Sequence, residues 1–295
     1  MDAALLARLA DLLTRLEPLL PPPIAPADWS AVAYRWRTRE YLGGARGRLE
    51  PVTRVALIEA DDLQHVERQK QALLANTAQF VRGLPANNVL LTGARGTGKS
   101  SLIRACLAAY AGQGLRLIEV DKRDLVDLPD IVACVAGRPE RFIVFCDDLS
   151  FEEGESGYKA LKAALDGSVA SAGDNVLIYA TSNRRHLMPE YMRENLAARY
   201  DEDGEVHPGE TVEEKISLSE RFGLWLSFHP FRQDDYLDIV NHWLRHFGLT
   251  EAQVEAGRGE ALQFALQRGS RSGRVALQFA RDYAGRLALG SAAAR

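Results

Sequence analysis

Leucines at 5, 6, 9, 12, 13, 16, 19 and 20 recur near the 3.6-residue period of a helix, and Pro21-Pro22-Pro23 stops the run. The spacing predicts an amphipathic helix over 2–20 that either docks on a partner or packs back on the body of the chain. Tyr34-Arg35-Trp36-Arg37-Thr38-Arg39 then alternates with a period of two, which suits a strand or edge segment, and a turn rich in glycine follows at Gly43, Gly44 and Gly47. A polar helix from about 62 to 80, carrying Leu63, Val66, Leu73 and Leu74, leads to Gly83-Leu84-Pro85.

From 88 to about 230, short apolar runs alternate with segments of helical period, the pattern of a parallel sheet covered on both faces. Strands are expected at 88–92, 115–120, 141–146, 175–181 and 223–228, and helices at 99–112, 128–137, 157–170 and 189–198. The charged stretch 200–220 has no clear period and reads as an ordered loop or short irregular insertion. After Pro230 only helices are expected, at 232–247, 250–256, 259–268 and 273–289. The expected fold is therefore α/β, a five-stranded parallel sheet with helices on both faces. It divides into an N-terminal extension over 1–60, an α/β domain over 61–230 and a small helical lid over 231–295.

Composition changes this picture little. With 295 residues and 46% hydrophobic content, the chain can bury one sizeable core and a smaller one. A net charge of −4 draws it neither to nucleic acid nor to an anionic membrane as a whole, although it leaves room for a local basic patch. Cys106, Cys134 and Cys146 are far apart, with no Cys-x-x-Cys pair, and read as buried thiols in a reducing compartment. Arg8, Asp11, Arg15 and Glu17 interrupt the N-terminal apolar stretch, against both a signal peptide and a membrane span, so a cytoplasmic location is expected.

The candidate chemistry begins at Gly93-Ala94-Arg95-Gly96-Thr97-Gly98-Lys99-Ser100, set between the apolar run Val89 to Thr92 and the helical segment Ser101 to Leu107. A strand that stops and a helix that starts leave several N–H groups pointing inward, and the glycines let the backbone close round an anion. Residues 93–101 are thus expected to cradle a nucleotide. Lys99 reaches its β- and γ-phosphates, and the Ser100 hydroxyl ligates Mg2+.

Phe142-Ile-Val-Phe-Cys146 is a continuous apolar run closed by Asp147 and Asp148, at the strand end where buried parallel sheets place their chemistry. Asp147 is positioned to hold Mg2+ directly or through water, and Asp148 to orient or deprotonate the attacking water. Glu152 and Glu153 are alternative bases, because hydrolytic relatives of this pattern usually carry Glu at the second position. The fourth apolar run ends in Thr181-Ser182-Asn183, where Asn183 either hydrogen-bonds the attacking water or γ-phosphate or merely forms a turn. Arg274, in the first turn of a helix, faces the positive end of the macrodipole and calls for an anion nearby.

With Ser219-Glu220-Arg221-Phe222 before the last strand and Ser272-Gly273-Arg274 opening a late helix, these motifs resemble an AAA+ ATPase over roughly residues 60 to 290. The resemblance implies Walker A and Walker B elements, a sensor at Asn183, an arginine finger at Arg221 and a second sensor at Arg274. It also implies an ATP- and Mg2+-dependent hydrolase that assembles as a ring or filament, with Arg221 reaching a neighbour's nucleotide. The alternative for Arg221 is a salt bridge within the chain to the acidic 200–220 segment. More narrowly, Phe145 to Glu152, Ala180 to Glu190 and Ser217 to Gly223 resemble an uncharacterised bacterial ATP-binding family, domain of unknown function 815.

Other signals are weaker. His242 and His246 lie i, i+4 on a helix but lack the glutamate and third ligand of a zinc site. His207-Pro208-Gly209 reads as a turn. Arg35, Arg37, Arg39, Arg46 and Arg48, interleaved with Tyr34, Trp36 and Tyr41, either bind single-stranded nucleic acid or face solvent from an edge strand. The competing function is a nucleotide-gated adaptor or loader with slow intrinsic hydrolysis, acting on nucleic acid or on an unidentified protein partner. A phosphotransferase would need an acceptor pocket in place of the two sensors.

Overall fold

The computed structural model describes residues 3–16, 28–41, 44–151, 156–166, 174–183, 199–200, 206–207 and 218–293. Pro21-Pro22-Pro23, Glu152, Glu153, the helix expected at 189–198, Pro208-Gly209 and most of the 200–220 stretch lie outside these residues. Within that stretch a two-residue pairing of Arg199–Tyr200 with Val206–His207 and a helical turn at 218–220 are described.

The five expected parallel strands are present: β3 (Val89–Gly93), β4 (Leu115–Glu119), β5 (Arg141–Cys146), β6 (Val176–Ser182) and β9 (Leu224–Phe228). The short pair Arg199–Tyr200 and Val206–His207 is β7 and β8. Two further strands enlarge the sheet, because β1 (Ala33–Tyr41) joins β4 in parallel and β2 (Gly44–Pro51) closes the edge antiparallel to β1. The sheet is therefore seven-stranded, in the order β2-β1-β4-β5-β6-β3-β9. Alternation explains the addition. Tyr34 and Trp36 point to the core and are 1% and 2% exposed, while Arg35 and Arg37 point to the other face. The indole N–H of Trp36 donates to Asp127 Oδ2 at 2.9 Å, and its ring lies where a Cβ on Gly47 would stand 1.9 Å away. The extension thus builds the sheet edge.

Helices α2 (Glu67–Val81) and α3 (Lys99–Tyr110) cover one face, and α4 (Leu128–Val135) and α5 (Ser156–Leu165) cover the other. Each face has its own core. One is centred on Leu91, Leu102 and Ile143, the other on Leu90, Phe142 and Phe151; Cys106 and Cys146 enter these cores, but Cys134 of α4 is exposed, against the expectation of three buried thiols. Because the chain leaves β3 for the distant β4 and returns through β5 and β6, β6 comes to lie between β3 and β5. The strand order reverses beside β3, and such a reversal opens a crevice at the carboxyl ends of the strands.

Three helices follow Pro230: α6 (Gln233–His246), α7 (Glu251–Arg268) and α8 (Gly273–Ala293), packed round Tyr236, Val240, Phe279 and Ala280. The expected break at Gly257-Arg258-Gly259 does not occur, and 250–256 and 259–268 form one helix. Gly257 is kept inside the helix by packing: a Cβ there would stand 3.2 Å from the Tyr283 ring, so α7 and α8 approach closely. The N-terminal helix α1 (Ala3–Leu16) presents Leu9, Leu12, Leu13 and Leu16 exposed. No helix among the described residues is long and apolar enough to cross a membrane.

Candidate functional site

The crevice is built first by backbone. Gly93, Gly96 and Gly98 have φ of +126°, +74° and +100°, values that L side chains rarely adopt. A Cβ on Gly93 would stand 1.9 Å from the Phe228 carbonyl oxygen, so the glycine lets β3 and β9 meet at the root of the loop. A Cβ on Gly96 would stand 2.7 Å from Ser272 Oγ, at the start of the lid's last helix.

Lys99 opens α3 and is buried. Its ammonium donates to the carbonyls of Gly93 at 2.8 Å and Ala94 at 2.7 Å, and to Asn183 Oδ1 at 3.0 Å. Burial holds its pKa below the usual lysine range, against the opposing pull of Asp147 and Asp148. Thr97 Oγ1 donates to the Ala94 carbonyl at 2.8 Å and braces the same loop.

The carboxylates are arranged by β6. Asp147 Oδ1 accepts from Ser100 Oγ at 2.6 Å and from Thr181 Oγ1 at 2.5 Å. Thr181 Oγ1 in turn accepts the Asp148 N–H at 2.9 Å, and its carbonyl accepts the Leu149 N–H at 2.6 Å. These contacts hold Asp148 at φ +54°, in the left-handed region that a residue with a Cβ usually avoids. So turned, the Asp148 carboxylate accepts from Asn183 Nδ2 at 2.5 Å and lies 3.8 Å from the Arg95 guanidinium.

The lid supplies the other wall. Arg274, Gly273 and Leu277 of α8 and Ile239 and Trp243 of α6 face the loop across a cleft of about 690 Å3. His242 Nε2 lies 3.0 Å from Asp62 Oδ1, and His65 lies 3.4 Å from Asp235 and 3.2 Å from Asp238. These pairs tie the segment before α2 to α6. With His242 set against Asp62, His242 and His246 belong to the lid contact and the polar helix face.

The structure therefore brings Arg95, Gly96, Thr97, Gly98, Lys99, Ser100, Ser101, Asp147, Asp148, Asn183 and Arg274 to one cleft, with Gly93 and Ala94 at its root. Arg221 stands apart. Its guanidinium donates to Asp166, just after α5, which realises an ion pair within the chain but with a carboxylate outside the 200–220 segment. Two residues escaped sequence reasoning. Thr181 organises both aspartates, and only the register Cys146↔Ala180 places it beside Asp147. Arg104 lines the cleft one turn beyond Ser100, with its Nε buried and without a hydrogen-bond partner.

The residues fit a magnesium nucleotide. The glycine cradle offers backbone N–H groups at a helix N-terminus, and the cleft volume is that of a small-molecule site. The Ser100 hydroxyl and the Asp147 carboxylate are hard oxygen donors already in contact, the donor type that suits Mg2+. Apolar Leu63, Ile239, Trp243 and Leu277 suit a planar base at the other end.

A family model described as "Protein of unknown function (DUF815)" matches residues 30–287. No curated protein matches the chain. Among solved structures, a variant of Thermotoga maritima RuvB is similar with a TM-score of 0.49 and 18% identity, covering 76% of this chain and 63% of that one. Aeropyrum pernix ORC1 in complex with DNA gives 0.49 and 17%, covering 73% and 58%. The HORMA:CdnC:Trip13 complex of E. coli MS115-1 gives 0.48 and 13%, covering 75% and 89%. This chain thus spans less than two thirds of the RuvB and ORC1 chains it matches.

Proposed function

The chain belongs to the DUF815 family, and we propose that it is an AAA+ ATPase that binds ATP with Mg2+ at Gly93 to Ser101 and hydrolyses it to ADP and phosphate. The observation that carries this reading is the continuous chain of contacts Lys99–Asn183–Asp148, beside the pair Ser100–Asp147. It sets a phosphate-binding cation, a candidate base and a metal-binding pair within one crevice.

In this reading the loop N–H groups and Lys99 hold the β- and γ-phosphates. Ser100 and Asp147 would hold Mg2+, which would supply positive charge against the phosphate oxygens. Asp148 orients a water and takes its proton as the water oxygen bonds the γ-phosphorus and the bond to the ADP oxygen breaks. Asn183 fixes the Asp148 carboxylate, and Arg274 brings lid charge to the γ-phosphate. Arg221 serves a neighbouring subunit's nucleotide, which requires it to exchange Asp166 for a phosphate.

The second reading, a nucleotide-gated adaptor or loader with slow hydrolysis, draws on the same Asn183–Asp148 hydrogen bond, which occupies the base. Calorimetric titration with ATP and Mg2+, together with phosphate release, tests the proposal. It expects tight binding that Lys99→Ala abolishes and phosphate release that depends on the same residue. Absence of ATP binding by the folded wild-type protein would overturn both readings.

A further inference from the structure

We propose that the β1–β2 hairpin is a binding face for single-stranded nucleic acid. The two strands pair so that Arg35 stands opposite Glu50, Arg37 opposite Arg48, Arg39 opposite Arg46 and Tyr41 opposite Gly44. Side chains two apart along a strand share a face, so five arginines and one tyrosine are displayed together, with Tyr34, Trp36 and Thr38 on the opposite, core-facing side.

This face, which also carries Glu50, is only partly compensated. Two cross-strand pairs are arginine against arginine, an arrangement that costs stability between directly opposed positions. Glu50 is shared by Arg48 and Arg39, at 2.5 and 3.5 Å, and Glu119 is taken by Arg35 at 2.6 Å. Arg37 and Arg46 are exposed and make no ion pair within 4 Å among the described residues, although the charge of Arg37 is felt at Glu50 and Asp121. A strand edge that keeps opposed like charges asks for a polyanion.

The chemistry favours nucleic acid over an acidic protein segment. All five cations of the hairpin are arginine, with no lysine, and the planar guanidinium pairs with phosphate through two parallel hydrogen bonds. Tyr41 stands on the same face opposite a glycine that presents no side chain, which leaves one side of the ring open for a base. Arginine spacing of about 6.7 Å along each strand follows from the strand rise and gives a regular ladder of phosphate sites. The ladder ends at a cavity of about 310 Å3 whose walls mix cations, Arg35, Arg37 and Lys122, with the carboxylates Glu119, Asp121 and Asp147, so a strand lying on the hairpin would stop at this acidic rim beside the crevice.

The test is fluorescence anisotropy of a labelled 20-nucleotide oligothymidylate with the full-length protein, titrated at several salt concentrations. Polyglutamate and a duplex of the same length serve as competitors. The inference expects binding whose logarithm falls with log salt at a slope of about −3, as for four to five phosphates neutralised on a single strand. Arg39→Gln with Arg46→Gln should weaken binding at least tenfold and flatten the slope by about 1.4. The melting temperature of this variant should be unchanged or higher, because an opposed charge pair is removed. Tyr41→Ala should weaken binding about tenfold with the slope intact. Absence of binding at about 50 mM salt, full affinity in the double variant or in Tyr41→Ala, or preference for polyglutamate or the duplex would overturn it.

Discussion

Asn183 and Asp148 are joined by a 2.5 Å hydrogen bond from the amide nitrogen to the carboxylate, and the oxygen of the same amide accepts from Lys99 at 3.0 Å. One side chain thus holds the lysine proposed to bind phosphate and the candidate base at fixed separation. Both ends of the amide are used, so its orientation is set by chemistry: the oxygen must face the ammonium and the nitrogen the carboxylate.

Replacing Asn183 by Ala removes the bridge without adding charge. Turnover should fall about 10–100-fold, the usual cost of losing a partner that orients a reacting group, while ATP affinity stays within a few-fold. Steady-state phosphate release and calorimetry read the two. A rise in turnover would instead identify Asn183 as a restraint on Asp148 and favour the gated module.

Thr181→Val keeps the shape and deletes the hydroxyl that serves Asp147 and Asp148. The Asp148 N–H loses its acceptor at a cost of about 1–3 kcal/mol. The melting temperature should drop by about 2–4 °C for each kcal/mol, and turnover should fall with the displaced carboxylates. Scanning calorimetry and phosphate release check both effects.

Gly96→Ala places a methyl group at φ +74° and 2.7 Å from Ser272 Oγ. The backbone strain is about 1–2 kcal/mol, and the added contact pushes on the lid where α8 begins. ATP affinity should fall at least tenfold as the two walls of the cleft part, and a titration that shows unchanged affinity would contradict this placement of the lid.

Lys99 loses its proton at lower pH than an ordinary lysine because burial disfavours its charge. The charged form binds phosphate, so ATP affinity should decline as pH rises through the lowered pKa, while still below the usual lysine range. In the nucleotide-free protein the sign is opposite for stability: neutralising the buried ammonium relieves its desolvation, so this group's contribution improves over the same interval. Lys99→Arg should keep the affinity flat there, if less tight, because arginine stays charged.

Arg221 pairs with Asp166 within the chain and, on the proposed function, serves a neighbour's site in the assembly. Arg221→Ala and Asp148→Asn subunits should each be inactive alone and regain hydrolysis when mixed. Sizing with a slowly hydrolysed ATP analogue should show assembly. No recovery at any mixing ratio would remove the finger in trans.

Most of the geometry of the candidate crevice was legible because its parts are local: a strand that stops, glycines that bend, a lysine and serine that open a helix, and paired aspartates at a strand end. What escaped is what long-range pairing decides. Thr181 gains its role only when β6 lies between β3 and β5, a consequence of crossover order that no single segment encodes. The sheet's two extra strands arise because Tyr34 and Trp36 find a core to enter, whereas their alternation alone indicated a strand or edge segment and not its place in the sheet. Gly257 reads as a break until Tyr283 is seen against it, and Asp166, 55 residues before Arg221, could not be paired with it by spacing.

The central claim, that Asp148 is the base of an ATP-hydrolysing site, is tested most directly by single-turnover hydrolysis with the Asp148→Asn variant. Asparagine preserves the size of the side chain but cannot take the proton, so ATP should bind with near wild-type affinity while hydrolysis falls at least 100-fold, the scale on which general bases act. Hydrolysis at the wild-type rate by the nucleotide-bound variant would contradict the account.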